Sequence, residues 1–173
     1  MVNTIVSNIR KALDNNLYYV ALMSALALPD ICGKAEFPNE RQSKERYILW
    51  YEQNIGEHEE STKCDNNLPY LSGEVIYNLR CSMLHEGNPN LNNKKLNEGK
   101  IDKFKLVVEN ANQFDCYGDF SAITPTGNEY RMSVRRICLI LCSVAETYYK
   151  NNKDKFHFDY QIIDLDQERE IGK

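Results

Sequence analysis

The chain has six cysteines but no C-x-x-C pair, so a zinc ribbon or a thioredoxin-type redox centre has no signature in it. It lacks a Gly-rich phosphate loop, a Ser-His-Asp order, a Cys-His nucleophile signature and a paired-carboxylate pattern. Strong charge is missing too. The net charge is −4, which argues against a broad basic face for duplex nucleic acid but leaves room for a local site. The apolar run Leu17 to Leu28 is too short to span a bilayer. Asp14, Asn15 and Asn16 precede it where a secretory signal would carry positive charge, so it is expected to be a buried helix of a cytoplasmic protein. Cys81, Cys138 and Cys142 fall inside helical patterns. They read as buried free thiols of a reducing compartment, not as a disulfide framework.

What is present fits one domain spanning residues 1–173, since 173 residues give one good core and are short for two. The periodicity predicts a first helix from about Thr4 to Leu28, bent at Asp14-Asn15-Asn16, with Ile5, Ile9 and Leu13 as its first stripe. Pro29 and Gly33 are expected to close it, with Asp30 to Lys34 as a turn. A second helix is expected from Glu40 to Ile55 and a fourth from Ser133 to Tyr149, the latter built on Ile137, Leu141, Val144 and Tyr148.

Between the third and fourth helices, a strand-containing insertion covers about 100–128. Lys103 to Glu109 reads as a strand, Asp115 to Ile123 as its partner, and Thr124 to Asn128 as a turn. Phe156, Phe158, Tyr160 and Ile162 alternate with polar residues, which predicts a C-terminal strand at about 156–165 before a charged tail, 166–173. The expected fold is mainly α: a four-helix up-down bundle carrying a small antiparallel β-sheet.

The third helix holds the most chemistry. Ser72 can cap it, Glu74 suits the positive end of its dipole, Gly87 can take the left-handed stop and Pro89 forbids continuation. Near its end stand Arg80, a permanent cation suited to phosphate, and His85, a proton-transfer group. At about 100° per residue, His85 lies roughly 140° around from Arg80, on the polar side with Glu74, Asn78 and Ser82. The two converge only if the last turn unwinds at Glu86-Gly87, or if two copies of the helix meet in a symmetric homodimer. A plainer reading has His85 capping the helix end and Arg80 pairing with an acid such as Glu74 or Glu36.

Arg80-x-x-x-x-His85, near the end of a helix in a mainly helical domain, resembles the R-x4–6-H motif of the HEPN superfamily. The resemblance covers Thr4 to Gly87 and Ser133 to Tyr149. It implies a HEPN-like bundle that dimerises through this helix. It also implies a metal-independent, cofactor-free endoribonuclease of the kind found in toxin–antitoxin, phage-defence and RNA-processing systems. Arg80 would bind the scissile phosphate, His85 would act as general acid or base, and Asn78, Ser82 and Glu86 would be supporting polar groups. RNA or a nucleotide, and a cognate antitoxin or defence partner, are the implied partners; no membrane is. Gly87 stands where one toxin branch carries tyrosine, and Cys81 where active members often carry Asn, Asp or His. The rival class is a non-catalytic helical module that binds nucleotide, RNA or protein.

Other residues have plainer explanations. His58 belongs to a polar loop and His157 to the polar side of a strand. Trp50, Tyr47 and Tyr51 can stack bases, but at this spacing they read as core. Arg41 and Arg46 flank their helix as further cleft candidates. The basic groups at Arg131, Arg135 and Arg136, and at Lys94 to Lys105, read as solvated surface.

Overall fold

The computed structural model describes residues 1–59, 70–87, 91, 101–108 and 119–157. The chain is mainly helical and carries a small three-stranded mixed sheet. Among the described residues no helix is long and apolar enough to cross a membrane.

The expected first long helix is three shorter ones. Helix α1 (Val2–Asp14) buries Val2, Val6, Ile9 and Leu13, one stripe at helical spacing. Asn16 then takes a left-handed φ of 57°, which asparagine tolerates, and turns the chain. Helix α2 (Tyr18–Ala25) buries Ala21, Leu22 and Ala25. Helix α3 (Leu28–Glu36) replaces the expected turn at Asp30 to Lys34. Pro29 opens this helix and does not close the one before it. In the first turn its missing N–H has no intrahelical partner to lose.

Gly33, expected as a stop, lies inside α3 for a packing reason. Helix α4 (Ser43–Tyr51) crosses so close that a Cβ on Gly33 would lie 2.6 Å from the Arg46 carbonyl oxygen. Only a bare Cα admits that backbone. Helix α4 runs on through a π-helical turn, Glu52–Gly56, into a short helix α5 (Glu57–Glu59). Tyr47, Trp50 and Tyr51 are all fully buried. The Tyr47 hydroxyl donates to the Leu26 carbonyl at 3.1 Å and the Tyr51 hydroxyl to the Leu71 carbonyl at 3.3 Å, so neither ring leaves its polar tip unsatisfied.

Helix α6 (Gly73–Cys81) starts as expected. Ser72 Oγ accepts from the Val75 N–H at 3.3 Å, and the Glu52 carboxylate accepts from the Gly73 N–H. Both place acceptor charge at the positive helix end. Val75, Ile76 and Leu79 face the core. Helix α7 (Val134–Asn151) begins at Ser133, which accepts from the Arg136 N–H at 3.2 Å. It packs against α1, α2 and α3, while α4 lies between α3 and α6.

The sheet corrects two expectations. Strand β1 (Lys103–Val107) forms, but it pairs in parallel with a strand not foreseen, β3 (Gly127–Ser133). Strand β2 (Phe120–Thr124) pairs antiparallel with β3, giving the order β1-β3-β2 and a mixed sheet in place of an antiparallel one. The β2–β3 turn falls where expected, with Gly127 at φ 114° and its Cα against Asp102. The expected C-terminal strand is not found at its start. Lys153–Lys155 is a 3₁₀ turn, and Phe156 packs edge-on against Tyr149 at 4.9 Å between centroids. The remainder of that strand, and the charged tail, lie outside the described residues.

The described cysteines, Cys32, Cys81, Cys138 and Cys142, are free thiols. Burial pushes Cys32 up to about 12 and Cys142 up to about 11, well away from reactive thiolate.

Two outcomes follow from this packing. Gly33→Ala forces α3 away from α4 and is expected to cost roughly 1–3 kcal/mol; an unchanged denaturant midpoint would rule out the close approach. Glu36 accepts from Lys155 Nζ at 2.6 Å and from the Tyr148 hydroxyl, tying α3 to the end of α7. The Lys155 bond first, then the Tyr148 bond, hold its carboxyl below the ordinary value of 4.5. Its stabilisation is therefore present above that value and lost as pH falls through the depressed one. Thermal melts of Glu36→Gln are expected to lie below the parent at neutral pH and to merge with it in acid; a gap that persists unchanged at low pH would contradict the assignment.

Candidate active site at the end of helix α6

Arg80 sits on the shoulder of the buried stripe of α6, with Leu79 fully buried beside it. Its side chain is 21% exposed. The guanidinium does not pair with Glu74 or Glu36. Glu74 is taken by Lys44 at 2.5 Å, and Glu36 by Lys155 and Tyr148. Arg80 instead reaches across to α3, where its Nη2 donates to Asp30 Oδ2 at 2.5 Å. Its guanidinium carbon lies 5.8 Å from the centre of the Tyr77 ring, a cation–π distance. Nη1 makes only a long contact, 3.9 Å, to Cys81 Sγ, and Nε is buried with no partner.

The electrostatics of this pair are uneven. Burial acts to lower the Arg80 pKa, but Asp30 and Cys81 outweigh it, and the guanidinium is held more firmly charged than usual. Burial pushes the Asp30 carboxyl up from its ordinary value, with Arg80 and then Arg46 opposing. Burial outweighs both arginines, so the Asp30 carboxyl stays above its ordinary value.

Beyond Cys81 the helix changes pitch. Ser82–Glu86 form a π-helical turn, in which Gly87 donates its N–H to the Ser82 carbonyl five residues back. Gly87 takes the left-handed conformation, φ 62°, and ends the helix as expected. In an i→i+5 turn each residue advances by less than the α-helical angle, so the roughly 140° offset of an ideal α-helix shrinks between Arg80 and His85. The last turn is widened, not unwound at Glu86-Gly87: the helix continues through Glu86 and stops at Gly87.

His85 stands on this turn and is exposed; among the described residues nothing hydrogen-bonds its imidazole. Arg80, by contrast, is turned toward α3, so the two do not meet within one chain. Of the expected supporting groups, Glu86 is exposed and Asn78 half-buried. Ser82, expected on the polar side with His85, is fully buried, because seven residues after Val75 and three after Leu79 it falls in the buried stripe of α6. It cannot contact a ligand from there.

Other candidates resolve into structure. Trp50, Tyr47 and Tyr51 are core. His58 is exposed on α5, and His157 is exposed outside any strand. Among the described residues no three His, Cys, Asp or Glu side chains gather to hold a metal ion. The arginines read as solvated surface are partly structural. Arg135 is buried and donates to the Leu13 carbonyl at 2.9 Å, and Arg136 bridges Glu59 at 2.5 Å and Asp119 at 2.8 Å. Lys94, Lys95 and Lys100 lie outside the described residues. An open groove of about 660 Å³ lies between Glu36, Asn54, Thr147, Tyr148 and Lys155, but its charged groups already satisfy one another.

Sequence reasoning missed Asp30 and Tyr77, and gave Arg46 only a marginal place. Asp30 was concealed by reading Pro29 and Gly33 as helix stops. The available signal was that proline opens a helix as readily as it follows one. Compared with known proteins, the chain matches no family model, no curated protein and no solved structure.

Proposed function

We propose that this chain is a HEPN-like, metal-independent endoribonuclease whose active cleft is built by two copies of helix α6. The observation that carries the reading is the π turn at the helix end. It sets an exposed imidazole one widened turn beyond a half-buried guanidinium and stops at a left-handed glycine. π-Turns inside helices are frequent at functional sites.

The chemistry needs one group that moves protons and one that holds a phosphate. His85, an imidazole open to solvent, is the proton-moving group. One His85 takes the proton of a ribose 2′-hydroxyl. The 2′-oxygen attacks phosphorus, the bond to the 5′-oxygen breaks, and the symmetry-related His85 returns a proton to that oxygen. The products are a 2′,3′-cyclic phosphate and a 5′-hydroxyl. Arg80 holds the non-bridging oxygens and stabilises charge as it builds there. Asn78 and Glu86 stand close enough along the helix to orient substrate. A homodimer is part of the proposal, because within one chain Arg80 is turned to α3 and away from His85.

One observation favours a second reading. Arg80 is already engaged by Asp30, as it would be in a non-catalytic module that binds nucleotide or RNA. Turnover separates the two. Pure protein in EDTA, incubated with structured and with single-stranded RNA, is expected to cut at least one. His85→Ala and Arg80→Ala are each expected to slow cutting by roughly 100-fold or more. No cleavage of either substrate, or variants as fast as the parent, would remove the enzyme and leave the binding module.

A further inference from the structure

Asp30 occupies a position that a substrate phosphate can take. It projects from α3 toward Arg80 of α6. Arg80 of α6 donates to it at 2.5 Å, and Arg46 of α4 acts on its carboxyl as a second positive charge. Among the described residues both arginines are poorly satisfied. Arg46 donates Nη1 to the Glu40 carbonyl at 2.5 Å, and its Nε is buried with no partner. Arg80 offers one short bond to Asp30, one long contact to sulfur, and an Nε likewise without partner. A guanidinium held by a single carboxylate oxygen leaves N–H donors over. A phosphate has more acceptor oxygens and fits a guanidinium fork bidentately, as one carboxylate oxygen does not.

The surroundings extend the same site. The Tyr77 ring is half-buried, with Arg80 at 5.8 Å and Lys44 Nζ at 6.0 Å from its centre, an aromatic face bordered by cations. Gly33 makes the arrangement possible. It lies one turn after Asp30 on α3 and lets α4 approach through the Arg46 backbone.

We propose that Arg46 and Arg80 form a phosphate subsite held shut by Asp30, an internal place-holder that a phosphate group of RNA or of a nucleotide displaces. The proposal rests on reading Arg80 as a phosphate binder, but not on turnover. A strut that merely ties α3 to α6 has the same ion pair, so the test must read affinity together with stability.

The experiment measures binding of a fluorescein-labelled 2′-O-methyl oligoribonucleotide, which cannot be cut at its 2′-oxygen, and of a ribonucleoside 5′-monophosphate, at fixed salt. Asp30→Asn keeps the shape and removes the competing charge. It is expected to tighten binding on the order of tenfold. Arg46→Ala and Arg80→Ala, each placed on the Asp30→Asn background, are expected to abolish the gain. A gain with both ligands assigns the subsite to an isolated phosphate; a gain with the oligonucleotide alone assigns it to an internucleotide one. Equal or weaker binding by a folded Asp30→Asn protein makes Asp30 a strut and overturns the proposal. Should that variant not fold, the parent serves: the Nε–H NMR signals of Arg46 and Arg80 are expected to shift on addition of the 5′-monophosphate or the oligonucleotide, and signals unmoved by both overturn it. Tightened binding without RNA cleavage would remove the nuclease and keep the subsite; cleavage without tightening would do the reverse.

Discussion

The approach of α3 to α4 at Gly33 is the constraint from which the site follows. A single missing Cβ lets the Arg46 backbone come within contact of α3. That approach brings Asp30 of α3 into reach of Arg80 on α6, the next helix beyond α4. It also carries the buried Tyr47, whose ring meets Tyr77 edge-on at 5.4 Å between centroids. The face that presents Arg80 is thus set by packing between three helices, not by α6 alone. The Lys44–Glu74 pair and the Glu52 cap on Gly73 fix α6 to α4 from its other end. Removing Arg80's partner leaves a half-buried cation without compensation, so the pair resists loss even if it contributes little net stability.

Local signals in the sequence were legible where local physics decides. The start of α6 at Ser72, its stop at Gly87 and the start of α7 at Ser133 depend on side chains bonding backbone groups within three residues or on a left-handed glycine. The stripe of α7 and the buried aromatics of α4 follow from helical periodicity. Non-local choices were not legible. Gly33 reads as a helix stop until one sees the carbonyl packed against it. Strand β3 was not foreseen: it runs from within the turn expected at Thr124 to Asn128 up to the expected helix start at Ser133, and places Tyr130 and Met132 in the core. Its parallel pairing with β1 requires a crossover that no turn signal announces.

The residue types of the site were legible, but their directions were not. Arg80 and His85 stand out by chemistry. The α-helical phase that separated them assumed 100° per residue, and the π turn at Ser82–Glu86 breaks that assumption. Ser82 is buried because it follows Val75 by seven residues and Leu79 by three, in the stripe that faces the core. Asp30 could be found only in three dimensions, since fifty residues separate it from the arginine it binds. Long-range pairing is where a linear reading runs out.

The most direct measurement is a crystal structure of the full chain with a 2′-O-methyl oligoribonucleotide. The expected result is a backbone phosphate on the Arg80 guanidinium in place of Asp30. An imidazole of His85, from the same copy or its two-fold mate, should lie within hydrogen-bond reach of the adjoining ribose 2′-oxygen. An Arg80 still bound to Asp30, with the oligonucleotide elsewhere and His85 facing open solvent, would contradict it.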